Sequence, residues 1–269
     1  NGCPGSTGNV VTITQGGAVD SVENLLVVTN NYVNLYGGML RVKNTTYSNG
    51  LFVVGDGSQS AALKSLSGGT MVFKDGLLIA TNSALMGDGT VGGASVGVVV
   101  TNGAMFSGGS NGPGTLTIGG SNLTWCGGGV YTCEVTDLNL GIGVGWDMVN
   151  VSTQMALVPA GLNPTIRMSS MGAPAAHFDP DENYNLKIMS CLTLSGTMDD
   201  IVLDTNAFVY SGATTNWSLT NVNNSLYLVY RGLPEGTYGS ASFTWQVPSN
   251  GNWSVVENWE GPPASAPMI

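Results

Sequence analysis

The chain has 269 residues, 40 of them glycine, with 9% charged side chains and a net charge of -10. That acidity repels nucleic acid and anionic lipid surfaces, and no apolar run approaches the roughly 18 residues of a membrane-spanning helix. No capped amphipathic segment sustains the 3.6-residue period for three turns, which leaves an all-β fold.

The opening "NGCPGSTG" carries neither an initiator Met nor a signal-peptide core, so the chain reads as a mature or excised piece. From residue 10 to about 125 the text breaks into strand-length runs: "VVTIT", "NLLVVTN", "YGGMLRV", "GLFVVGDG", "SGGTMVF", "DGLLIA", "VGVVVTNG" and "GPGTLTIGG". Gly37-Gly38-Met39-Leu40-Arg41-Val42 and Gly68-Gly69-Thr70-Met71-Val72-Phe73 share one shape, so a repeated unit is expected. Asn49-Gly50, Asp75-Gly76 and Asn102-Gly103 suit either the hairpins of a sandwich or the corners of a solenoid. Irregular spacing and few strictly polar alternate positions favour the solenoid, so a right-handed parallel β-helix is expected over residues 1–125.

After residue 126 the strands lengthen and become aromatic, as in "NYNLKIMSCLTLSG", "NWSLTNVNNSLYLVYRG" and "SASFTWQV". Alternation over Ser225–Tyr230 puts Leu226, Leu228 and Tyr230 on one face. Residues 126–239 are therefore expected to be β-rich and more antiparallel, either continuing the core or capping it. Residues 240–269 form a Pro-rich tail holding Trp245, Trp253 and Trp259.

Four cysteines in a chain poor in Lys and Arg suit an extracellular protein. The six residues between Cys126 and Cys133 favour a clasp across a short hairpin, with Cys3 and Cys191 left as a second pair or as links between subunits; buried free thiols are the alternative. Six N-x-Ser/Thr sequons begin at Asn44, Asn122, Asn150, Asn216, Asn223 and Asn252, candidate glycosylation positions in an extracellular rod.

Catalytic patterns fail on context. Gly108 to Gly112 and Gly93 to Gly97 match a nucleophile elbow in spacing but lack the helix that must follow, and His177 is the sole imidazole. Gly141 to Gly145 precedes no helix and no P-loop Lys, so it reads as a turn. Asp179, Asp181 and Glu182 begin like a calcium loop, but Tyr184 stands where an EF-hand needs Gly. No metal is expected as a resident cofactor; a loose calcium site on those three, or on Asp199, Asp200 and Asp204, competes with plain solvated turns. Arg41, Lys43, Lys64, Lys74, Arg167, Lys187 and Arg231 read as scattered rather than paired with acids, which counts against a polysaccharide-cleaving β-helix.

"FSGGSNGPGTLTIGGSNLTW" and "GVGWDMVNVS", followed by "TIRMSSMG", "HFDPDENYNLKIM", "VLDTNAFVYSG" and "NSLYLVYRG", resemble the tandem β-strand repeats of bacterial autotransporter-associated and PEP-sorted surface proteins. Such units open with a tryptophan pattern, which here stands at the end as Trp245, Gly251, Asn252, Trp253, Asn258 and Trp259 before "GPPASAP". The resemblance implies a tandem unit cut at a shifted boundary, whose open edges pair with another copy. It implies a non-enzymatic cell-surface protein joined head to tail, with Val10, Val11 and Ile13 at one end and Trp245, Trp253 and Trp259 at the other, and Cys3 a candidate covalent link. The alternative is a monomeric β-helix that binds or cleaves carbohydrate on aromatic platforms.

Overall fold

The computed structural model describes residues 8–27, 30–92, 97–209, 216–232, 244–245 and 259–260. The chain winds as a parallel β-helix. Its first coil contains β1 (Val10–Ile13) and β2 (Ala18–Val27), and the second contains β3 (Tyr32–Leu35) and β4 (Gly38–Tyr47). Then follow β5 (Phe52–Val54), β6 (Ala61–Ser65) and β7 (Thr70–Phe73), then β8 (Leu77–Ile79), β9 (Ser83–Gly87) and β10 (Thr90–Gly92). The next coils hold β11 (Val98–Val100), β12 (Met105–Ser107) and β13 (Thr115–Ile118), then β14 (Leu123–Cys126), β15 (Val130–Glu134) and β16 (Met148–Val158). β17 (Thr165–Ser169), β18 (Tyr184–Ser195) and β19 (Val202–Ala207) complete the parallel part, and β20 (Trp217–Val222) and β21 (Ser225–Tyr230) form a hairpin.

Parallel pairing stacks these strands into three faces. Face 1 runs β1, β3, β5, β8, β11, β14 and the ends of β16 and β18. Face 2 runs from the start of β2 through β4, β6, β9, β12, β15, β17 and β19. Face 3 runs from the end of β2 through the end of β4, then β7, β10, β13 and the first part of β16. On face 1, Val10 pairs with Tyr32, 22 residues on, and Leu35 with Val54, 19 on. Later steps are longer: Leu123 to Met155 is 32 residues and Met155 to Leu194 is 39.

Alternation along each strand sends every second side chain inward, and stacking turns these into columns. Ile13, Leu35, Val54, Ile79, Val100 and Trp125 form one such column on face 1, all buried. Leu40, Leu63, Leu85, Phe106, Tyr131 and Ile166 form its counterpart on face 2. Each buried aliphatic side chain contributes about 1.5–3 kcal/mol, so the fold is held by repetition. Aromatics wedge the interior at intervals: Phe106 lies 5.2 Å from Trp125 and 5.1 Å from Tyr131 between ring centroids.

Parallel coils run unbroken past residue 126 to β19. Antiparallel pairing does occur in the second half, where β18 pairs with β21 and β21 with β20, and between the two-residue strands β22 (Thr244–Trp245) and β23 (Trp259–Glu260). Phe178, Tyr184, Phe208, Trp217 and Tyr230 pack ring against ring where this hairpin meets the last coils. Asn223-Asn224, both at positive φ, make the turn between β20 and β21.

The expected Cys126–Cys133 clasp is not formed: Cys126, Cys133 and Cys191 are free. In β14, Leu123 and Trp125 point inward, leaving Cys126 outside, whereas Cys133 is wholly buried in β15. The two thiols therefore stand on opposite sides of the solenoid wall, and burial pushes the Cys133 thiol well up. Cys3 lies outside the described residues.

Candidate functional site

Coil length grows mainly at one corner, between faces 2 and 3. There β4 passes without a break, residues 66–69 and 88–89 make short turns, and residues 108–114, 135–147 and 170–183 make successively larger loops. Together these loops build a lobe on the solenoid, and Leu140, Ile142 and Val144 are exposed on it. Small residues make it possible, because a Cβ on Gly109 would come within 1.8 Å of the Gly112 carbonyl oxygen.

At the base of the lobe lies Asp147, with no exposed surface. Its Oδ1 accepts the Gly114 N–H at 2.9 Å, and its Oδ2 accepts the Ser107 hydroxyl at 2.8 Å and the Glu134 N–H at 3.0 Å. One carboxyl thus ties β12, the 108–114 loop and β15. Burial pushes its pKa up to about 7, against the pull of the three donors. Glu134 is also raised by burial, although the Gly112 N–H donates to its carboxylate. Its Oε2 is buried without a hydrogen-bond partner. Asp147 is out of reach of any bound molecule, so its chemistry is internal.

Farther out on the lobe, His177 Nδ1 lies 2.9 Å from Asp137 Oδ1, joining the 135–147 and 170–183 loops. This hydrogen bond from His177 holds the Asp137 carboxyl below its usual range. His177 is committed to a carboxylate rather than to a serine. The first glycine-serine pattern, Gly108 to Gly112, sits in the lobe with β13 after it; of the second, Gly93–Val96 lies outside the described residues.

The outer side of face 2 gathers charge that looked dispersed along the sequence. Arg41 pairs with Asp20 at 3.3 Å, Lys43 with Glu23 at 2.8 Å and Arg167 with Asp204 at 3.4 Å. Partners about twenty or more residues apart are neighbours because that is one coil. An open trough of about 510 Å³ lies along this face, with Ala62, Ala84 and Met105 on its floor and Lys64 and Arg167 beside them.

Three of the calcium candidates serve as turn acceptors. Asp179 Oδ1 accepts the Asp181 N–H, Asp200 Oδ2 accepts the Thr197 N–H, and Asp204 Oδ1 accepts the Asn206 N–H. Asp199 and Asp200 fall in one short 3-10 turn. Among the sequon residues, Asn44 accepts the Thr70 N–H and donates to Asn24, Asn150 accepts from Ser190, and Asn122 accepts the Gln154 N–H. Asn223 sits in the tight turn, Asn216 precedes β20, and Asn252 lies outside the described residues.

Of the six end residues, Ile13 is in the core, whereas Val10 and Val11 are 55% and 53% exposed. Val11 is notable because its partner Val33, in the same inward column, is buried. Trp245 and Trp259 are brought together as backbone partners in the β22–β23 pair; Trp253 lies outside the described residues. The residues the sequence reading passed over are Asp147 and Ser107. The signal for Asp147 was a lone carboxylate directly before an apolar strand, in "GWDMVNV", in a chain short of charge. No family model matches the chain, and no curated protein matches it.

Proposed function

We propose that this chain is an extracellular, non-enzymatic rod module that stacks end to end with further copies, as the tandem surface repeats it resembles would. The observation that carries this reading is the open end of the core at the first coil. Val11 belongs to an inward column yet is half exposed. A solenoid core covered by another coil would bury the inward side chain, and a strand edge of this kind pairs readily with a further strand. A head-to-tail contact of this sort does not close on itself, so it generates a filament.

The test is negative-stain electron microscopy of the full chain beside its Val11→Asp variant. Thin rods that shorten to single particles in the variant support the reading; dispersed particles in both overturn it. A shortened chain lacking residues 245–269 is expected to lose the rods as well. The face 2 trough, with Lys64 and Arg167 beside an apolar floor, favours a second reading as a monomeric glycan-binding β-helix. Adsorption of dispersed particles to acidic polysaccharide, abolished by Lys64→Glu, would establish that reading instead. Neither reading requires a cofactor or calcium.

A further inference from the structure

We propose that face 3 is a self-complementary surface through which two copies pair side by side, with their solenoid axes antiparallel. The two outward columns of this face carry no charge, on a chain of net charge -10. The first column holds Asn24, Asn44, Thr70, Thr90, Thr117 and Asn150 in register. The second begins with Leu26, Thr46 and Val72 and continues into Gly92 and then Gly119, which follows the Val91–Ile118 pair. Like-charged molecules approach at least cost where charge is absent from both surfaces.

Shape adds the second argument. Leu26, Thr46 and Val72 form an exposed ridge, with Val72 at 41% exposure. Gly92 and Gly119 have no side chains, and a trough of about 220 Å³ opens over them between Thr70, Thr90 and Gly120. Ridge and trough occupy successive coils of one column. A two-fold axis lying along the strand direction, between the coils of Val72 and Gly92, reverses the coil order but preserves position along the strand. It sets Val72 over the second copy's Gly92 and Thr46 over the second copy's Gly119. Both contacts then occur twice, as in any isologous interface.

The face measures roughly 30 Å by 10 Å from the strand spacing and rise, or about 300 Å² per copy, well below the about 800 Å² per partner of a stable complex. Isolated pairs are therefore weak, and many in series along a rod are strong. The pairwise contact does not depend on end-to-end stacking; only its multiplication along a rod rests on that reading.

The experiment uses full-length chain carrying Val11→Asp, which removes stacking, in sedimentation velocity runs up to millimolar concentration. A monomer–dimer equilibrium is expected, shifted at least tenfold toward monomer by adding Val72→Glu and unchanged by adding Val53→Glu on the outer side of face 1. Circular dichroism verifies that both outward substitutions leave the fold intact. Monomers at every concentration, or dimers indifferent to Val72→Glu, overturn the proposal. So does adsorption of a monomeric chain to insoluble polysaccharide that Val72→Glu abolishes, which would give the face a glycan partner.

Discussion

The early coils, up to β10, and the later ones, from β11 to β19, solve the same packing problem with different means. The early coils are held by apolar columns, with Asp20–Arg41 and Glu23–Lys43 bridging neighbouring coils on the outside, as Arg167–Asp204 does later. The later coils keep the columns but add a lobe at whose base one buried carboxyl ties β12, the 108–114 loop and β15. Repetition spreads stability over many equivalent contacts, whereas a single polar pin concentrates it. The two regions should therefore fail differently.

The largest expected effect is in the shared core. Phe106→Ala removes a ring packed against both Trp125 and Tyr131, at a cost of about 3–5 kcal/mol. In hydrogen exchange the loss should reach the coils on either side of β12. Protection lost only within β12 would mean that the coils are less coupled than their columns imply.

Asp147→Asn sharpens the comparison. The protonated carboxyl can give its proton to Ser107 and still accept from the Glu134 N–H, but an amide nitrogen cannot accept. One donor is orphaned, costing about 1–3 kcal/mol at acidic pH. The native state holds the Asp147 proton up to about pH 7, while the unfolded chain releases it near pH 3.9. Between those values the native state binds more protons, so stability falls as pH rises, by at most about 4 kcal/mol. Above pH 7 the fall is complete, and Glu134 adds in the same direction. Urea unfolding from pH 4 to 8 should show this slope in the wild type and a flatter one in Asp147→Asn. Equal slopes would remove Asp147 as the source.

Gly109→Ala forces its methyl against the Gly112 carbonyl and should cost about 1–3 kcal/mol, with lost protection confined to residues 108–114. The smallest effect belongs to the early coils. Asp20→Asn breaks a half-exposed pair with Arg41 and should change urea stability by less than about 1 kcal/mol.

Much of this architecture was legible because strand and corner are local. The runs "GGMLRV" and "GGTMVF" do form β4 and β7, and Asn49-Gly50, Asp75-Gly76 and Asn102-Gly103 do turn corners rather than hairpins. The contacts between coils were not legible. Asp20 and Arg41 look unrelated until the coil length is known, and that length varies from step to step. Cys126 and Cys133 are near in sequence, but inward or outward direction is reset at each corner, so spacing alone could not show the wall between them. Asp147 was hidden for a third reason. Its three donors come from Ser107, Gly114 and Glu134, and two of them are backbone amides whose presence no residue type announces.

The uneven coils also bear on how such a chain tolerates change in length. Closing a loop twice as long costs only about 0.6 kcal/mol more in chain entropy, so the step from 19 residues between Leu35 and Val54 to 39 between Met155 and Leu194 is nearly free. The corner between faces 2 and 3 already holds the largest of these additions, while the strands on either side keep their pairing. New segments grafted there would extend the lobe without disturbing the ladder beneath, making this corner the place where one solenoid design can acquire different outer surfaces.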